Sequence, residues 1–81
     1  QNYPNPFNPE TTLIFDLEAA ARVKLTVYDV LGRKIVKLLD KKLPAGRHRV
    51  VFDGRTLPAG TYIYTLTSGK TTLSKRMILL K

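Results

Sequence analysis

The sequence predicts an all-β fold, an antiparallel β-sandwich of six strands, or seven if its proline-rich start also pairs. Three observations carry this. After residue 10 the chain breaks into short runs rich in β-branched and aromatic residues, separated by Gly or Pro roughly every ten positions. Within the runs apolar and polar residues alternate, the two-residue period of strands with one buried face. The length, 81 residues, is that of one small domain, because such chains bury only roughly 60% of the surface their unfolded form exposes. A two-sheet sandwich of Greek-key type accounts for strand count, turn spacing and length together, with a small barrel as the second choice.

Residues 1–10 form a proline-rich lead-in. The prolines at positions 4, 6 and 9 each remove an amide donor and push the preceding residue towards extended geometry, so no helix forms. Tyr3 and Phe7 imply that this stretch packs on the body, since solvated linkers seldom carry aromatics. Residues 11–17 then put Leu13, Phe15 and Leu17 on one face and Thr12, Ile14 and Asp16 on the other. A short turn over 18–21, with alanines enough for one helical turn, leads into the cleanest strand, 22–30, with Val23, Leu25 and Val27 inward and Lys24, Thr26 and Tyr28 outward.

Leu31-Gly32 closes a tight hairpin, where a glycine accepts positive φ without steric cost. The next strand, 33–40, alternates poorly (Ile35, Val36, Leu38, Leu39), which points to a β-bulge or to burial on both faces. A turn over 41–46 precedes a strand over 47–53, with His48, Val50 and Phe52 on one side and Arg47, Arg49 and Val51 on the other. Residues 54–60 are a loop. Residues 61–68 alternate Tyr62, Tyr64 and Leu66 against Ile63, Thr65 and Thr67, Gly69 makes the second tight hairpin, and 70–81 is the closing strand. Leu43-Pro-Ala-Gly46 and Leu57-Pro-Ala-Gly60 repeat one turn chemistry just before a strand: Pro sets φ at the first central position, and Gly accepts positive φ.

Composition excludes several classes. The absence of cysteine removes disulfides, thiolate metal sites and a cysteine nucleophile, and no apolar run approaches the roughly 20 residues of a membrane-spanning helix. The first nine residues carry no positive charge and no apolar h-region, so they are no signal peptide, and without an initiator Met the sequence reads as a piece of a longer protein. A net charge of +8 favours anionic partners.

No catalytic constellation emerges. His48, the only histidine, lies between Arg47 and Arg49, which oppose metal binding, and reads as a histidine packed on its strand. Asp16 and Glu18 share a strand face, but the plainer role for the acids is turn capping at strand ends, by Asp29, Asp40 and Asp53. All five glycines read as isolated turn residues, so no phosphate loop exists. Clustered cations with Tyr28, Tyr62 or Tyr64 as stacking platforms would suit a nucleic acid, yet the tyrosines have core-like spacing, and no nucleic-acid partner is expected. Neither enzyme activity nor a cofactor is indicated.

The motifs Asn2-Tyr-Pro-Asn-Pro-Phe-Asn-Pro9, Val27-Tyr-Asp-Val-Leu-Gly-Arg33, Leu43-Pro-Ala-Gly46, Leu57-Pro-Ala-Gly-Thr-Tyr62 and Lys75-Arg-Met-Ile-Leu-Leu-Lys81 occur in that order along the chain. Together they resemble the C-terminal sorting domain of the type IX (Por) secretion system, related to the immunoglobulin-like module of flagellar hook-capping proteins. The resemblance implies an immunoglobulin-like β-sandwich, one domain over residues 1–81, acting as a non-enzymatic address for a passenger in the same parent chain.

It further implies passage through the periplasm, recognition by an outer-membrane translocon and shuttle proteins, and a secreted or cell-surface destination. In many members a sortase then attaches the passenger to anionic lipopolysaccharide. Residue by residue, it puts the sorting signal on Gly60 and Tyr62 and on Lys75, Arg76 and Lys81 flanking Met77, Ile78, Leu79 and Leu80. Gly32, Pro44, Gly46 and Gly69 are the fold-determining turns. The charge is more basic than the resemblance leads one to expect. The rival reading is a carbohydrate- or anionic-polymer-binding accessory module using Tyr28, Tyr62 or Tyr64, and a monomer or weak dimer is expected in either case.

Overall fold

Residues 10–79 are described by the computed structural model. They form β1 (Glu10–Leu17), β2 (Ala21–Asp29), β3 (Lys34–Leu43), β4 (Gly46–Asp53), β5 (Gly60–Ser68) and β6 (Thr71–Leu79). All pairings are antiparallel, in a two-stranded sheet β1-β4 and a four-stranded sheet β3-β2-β5-β6. The chain changes sheet between β1 and β2, between β3 and β4 and between β4 and β5, while β2–β3 and β5–β6 are hairpins. This is a β-sandwich, not a closed barrel. Of the lead-in, residues 1–9, with Tyr3 and Phe7, lie outside the described residues, and Glu10 already belongs to β1, opposite Asp53.

The alternation read from the sequence builds the core. Val23, Leu25 and Val27 of β2 are at most 1% exposed. With Tyr62 and Tyr64 of β5 and Met77 and Leu79 of β6 they face Leu13 of β1 and Phe52 of β4 across the two sheets. The poorly alternating stretch carries two register shifts: Leu25 pairs Leu39 but Thr26 pairs Lys37, and Val27 pairs Val36 but Tyr28 pairs Lys34. The skipped residues, Leu38 and Ile35, are partly buried against the core. A bulge lets consecutive positions turn the same way, which is why the alternation breaks there.

Several boundaries differ from the sequence reading. β3 runs on to Leu43 because Lys41, Lys42 and Leu43 keep pairing with Val23, Arg22 and Ala21, so the turn to β4 is only Pro44 and Ala45. Asp40 therefore sits inside a strand opposite Lys24 and ion-pairs with Arg22 and Lys37, and caps no turn. The alanines after Glu18 make a bend with no helical turn. Thr26, on an outward position, is only 8% exposed, since β2 is flanked on both sides by β3 and β5.

Gly54 is no free turn glycine. It is buried, and a Cβ built on it would lie 2.6 Å from Leu79 Cδ1. The other four glycines do hold positive φ: Gly32 at 83°, Gly46 at 125°, Gly60 at 148° and Gly69 at 60°. Both copies of the Leu-Pro-Ala-Gly turn thus end on a glycine in the left-handed half of φ space, as the repeat predicts.

Candidate functional site

The β2–β3 hairpin is organised by Asp29. Its carbonyl accepts from Gly32 N–H at 3.0 Å, and its Oδ1 accepts from the amides of Leu31 and Arg33, both at 2.9 Å. Oδ2 takes the Arg33 guanidinium at 2.7 Å. The Arg33 amide, and beyond it the Arg33 side chain and the Leu31 amide, hold the Asp29 carboxyl below its ordinary pKa, against some desolvation. The Gly32-to-Asp29 bond and the positive φ of Gly32 make this a three-residue hairpin connection closed by a left-handed glycine. It projects Val30 and Leu31 into solvent, 63% and 75% exposed.

Facing that tip is the second Leu-Pro-Ala-Gly turn. Tyr62, at the start of β5, is 6% exposed, and its hydroxyl donates to the Pro58 carbonyl at 2.7 Å. A tyrosine that reaches back a few residues from the start of this strand is the tyrosine corner of immunoglobulin-like sandwiches. It fixes the angle at which the turn feeds β5. Tyr62 pairs with Asp29 on one side and with Met77 on the other, and Gly60 pairs with Leu79.

Three stretches distant in sequence therefore meet at one end of the sandwich: the hairpin tip, the Gly60–Tyr62 segment and the end of β6. Between the tip and the turn lies an open cavity of about 410 Å³, lined by Asp29, Val30, Leu31, Arg33 and residues 59–62. Ile78, 54% exposed and paired with Thr61, adds a third apolar side chain at this end.

β6 is an edge strand, and among the described residues it pairs with β5 alone. Met77 and Leu79 are buried at 3% and 4%, whereas Lys75 and Arg76 are exposed. Leu73 and Lys75 share the inward parity of Met77 yet stay exposed, because among the described residues the opposing sheet sets two strands against four. The β6 edge that no described strand covers offers main-chain donors and acceptors. Leu80 and Lys81 lie outside the described residues. A second cavity of about 530 Å³ sits where β1 faces the β5–β6 hairpin, with Phe15, Leu17, Leu66 and Leu73 in its walls and none of the motif residues.

The remaining candidates have structural roles. His48 stacks at 5.5 Å on Phe15, and its Nε2–H donates to the Pro44 carbonyl at 2.8 Å, tying the first Leu-Pro-Ala-Gly turn to β4. Asp16 does not pair with Glu18: it binds Arg47 at 2.9 Å, and that hydrogen-bonded guanidinium holds its carboxyl below the ordinary range. Asp53 caps the Arg55 amide as predicted, at 3.0 Å. Among the described residues no group of three or more His, Cys, Asp or Glu side chains gathers. Tyr62 and Tyr64 are core residues, so neither is a stacking platform.

Sequence reasoning missed Val30 and Leu31. Their signal was present in apolar residues at the centre of a turn that polar residues ordinarily fill.

The family model of the secretion system C-terminal sorting domain matches residues 1–80. The chain belongs to the type IX secretion C-terminal sorting domain family. No match was found among curated proteins. A sorting domain implies a fused passenger, a secretion machinery that reads the domain, and export to the cell surface or medium. The strand order and the tyrosine corner agree with an immunoglobulin-like sandwich.

Proposed function

We propose that this sorting domain carries a passenger fused ahead of it from the periplasm through the outer membrane, and that an outer-membrane translocon with its shuttle proteins reads it at the Val30–Leu31 and Gly60–Tyr62 end and along the β6 edge. The observation that carries this reading is the convergence of three separate motifs at one exposed, apolar end beside a strand edge that is unpaired among the described residues. An edge strand is a template for β-augmentation, in which main-chain hydrogen bonds give affinity and alternate side chains fill pockets. Lys75, Arg76 and Ile78 are the side chains such a partner meets on β6.

Met77 and Leu79 anchor that strand to the core, and Tyr62 and Gly60 hold the turn opposite it. Their part in recognition is positional. The domain itself is non-enzymatic in this reading, and any sortase that exchanges it for lipopolysaccharide acts on it as a substrate. The test is a reporter exported to the periplasm and fused to residues 1–81 in a type IX competent bacterium. The reporter should reach the surface or medium, and periplasmic retention of a folded fusion would contradict the proposal.

A further inference from the structure

The excess positive charge is segregated onto one face. Because Val23, Leu25 and Val27 point inward, β2 turns Arg22 and Lys24 outward, and the register lines these up with Lys42, Lys37 and Lys34 on β3. On β6 the same face carries Arg76, opposite Ile63. Asp40 is the one acid on that face among the described residues. The outer face of the other sheet is mixed: Glu10 is paired with Asp53, Ile14 with Arg49 and Asp16 with Arg47.

Asp40 neutralises Arg22 and Lys37 in part, at 3.0 and 3.3 Å. Lys24, Lys34, Lys42 and Arg76 make no ion pair among the described residues. Lysines that blunt a sheet edge against aggregation belong on edge strands. Lys24 does not fit that role, since it stands on an inner strand between Asp40 and Thr67.

Between the flanking cations runs a band of hydroxyls. Thr26, Thr65 and Ser74 form one cross-strand row, with Thr65 Oγ1 and Ser74 Oγ 3.1 Å apart, and Thr67 and Thr72 form the next. Tyr62 and Tyr64 are in the core, and Tyr28 alone lies on this face, half-buried between Lys34 and Ile63, so the described residues offer bases no run of stacking platforms. Single-stranded nucleic acid is held largely by such platforms. A flat field of hydroxyls framed by lysines instead matches a polymer that presents hydroxyls and anions together.

We infer that the outer face of the β3-β2-β5-β6 sheet binds acidic polysaccharide, with Lys24, Lys34, Lys42 and Arg76 meeting its anionic groups and Thr65, Thr67 and Ser74 its hydroxyls. This goes beyond the sorting role, and of its residues only Arg76 is shared with the β6 edge offered to the translocon. An exported domain with this face would be retained at a surface coated in acidic saccharide after leaving the translocon, and retention would weaken with salt.

The test uses the 81-residue chain in native gels containing polygalacturonate, with neutral dextran and an oligodeoxythymidylate as alternative ligands. Lys24→Gln with Lys34→Gln is compared with Arg47→Gln with Arg49→Gln, which removes the same charge from the opposite face, after thermal melts establish that both variants fold. The inference predicts retardation by polygalacturonate and not by dextran, weakened about fivefold in the first variant and less than about twofold in the second. Equal weakening in both would reduce the effect to net charge and overturn the site. Tighter binding of the oligonucleotide than of polygalacturonate would overturn the ligand class.

Discussion

Replacing Gly54 by alanine tests whether the end of β6 is locked into the core. Gly54 is not among the positive-φ glycines, so its backbone accepts alanine, and lower chain entropy alone would stabilise the protein by about 0.4–1 kcal/mol. The new Cβ, however, would stand 2.6 Å from Leu79 Cδ1 and 2.7 Å from Cδ2, where ordinary carbon contacts are about 3.5–4.0 Å. Leu79 is 4% exposed, and swinging it into water forfeits burial of about 2 kcal/mol. Overpacking of this kind costs about 1–3 kcal/mol, so a net loss of about 1–2 kcal/mol remains.

In a domain of this size that loss lowers Tm by roughly 5–15 °C, read by circular dichroism. Leu79→Val removes the clashing reach at its own cost of about 1 kcal/mol. The double variant should then be at least about 0.5 kcal/mol more stable than the sum of the single losses predicts. An unchanged or raised Tm for Gly54→Ala would refute the packing argument.

Three further outcomes follow from the same geometry. Tyr62→Phe, which deletes the hydrogen bond to Pro58, should cost about 1 kcal/mol in urea unfolding with an unchanged m-value; no loss would mean the corner bond is dispensable. Thr11 is buried with an Oγ1 that has no partner among the described residues, so Thr11→Val should be neutral or stabilising by up to about 1 kcal/mol; a clear loss would reveal a partner outside residues 10–79. The Asp29 carboxyl is held below its ordinary value of 3.8 by the Arg33 and Leu31 amides and the Arg33 side chain. Its contribution is therefore present above that value and lost as pH falls through the lowered one, and Asp29→Asn should flatten the acid limb of the stability profile below about pH 4. An acid limb as steep as the wild type's would remove Asp29 from the account.

Much of the sandwich was legible because strand alternation is a direct image of burial. Val23, Leu25 and Val27 announce an inward face, and the glycines ending the two Leu-Pro-Ala-Gly turns announce positive φ. What could not be read is whatever depends on a neighbour distant in sequence. Lys41 and Lys42 look like turn residues, and only the pairing with Val23 and Arg22 makes them strand. Gly54 looks like one more turn glycine until Leu79 is packed against it.

The same limit governs the candidate site. The motif residues are visible one by one, but that Asp29, Tyr62 and Met77 lie side by side follows from strand order. Tyr62 drew attention as a recognition residue, while its hydroxyl bond to Pro58 and its burial give it a role inside the fold. Val30 reads as the last residue of a strand and Leu31 as half of a turn, and neither reading shows that the two stand exposed together at the tip.

The most direct test of the central claim, that a folded sorting domain is read at its Val30–Leu31 and Gly60–Tyr62 end, is export of a periplasm-directed reporter fused to residues 1–81 carrying Leu31→Ser and Ile78→Ser. Both side chains are exposed, at 75% and 54%, so the melting temperature should change by no more than the few degrees usual for surface substitutions. The substituted reporter should fold as before but stay in the periplasm, while the unsubstituted fusion reaches the surface or medium. Export of the substituted fusion at the unsubstituted level would contradict that claim.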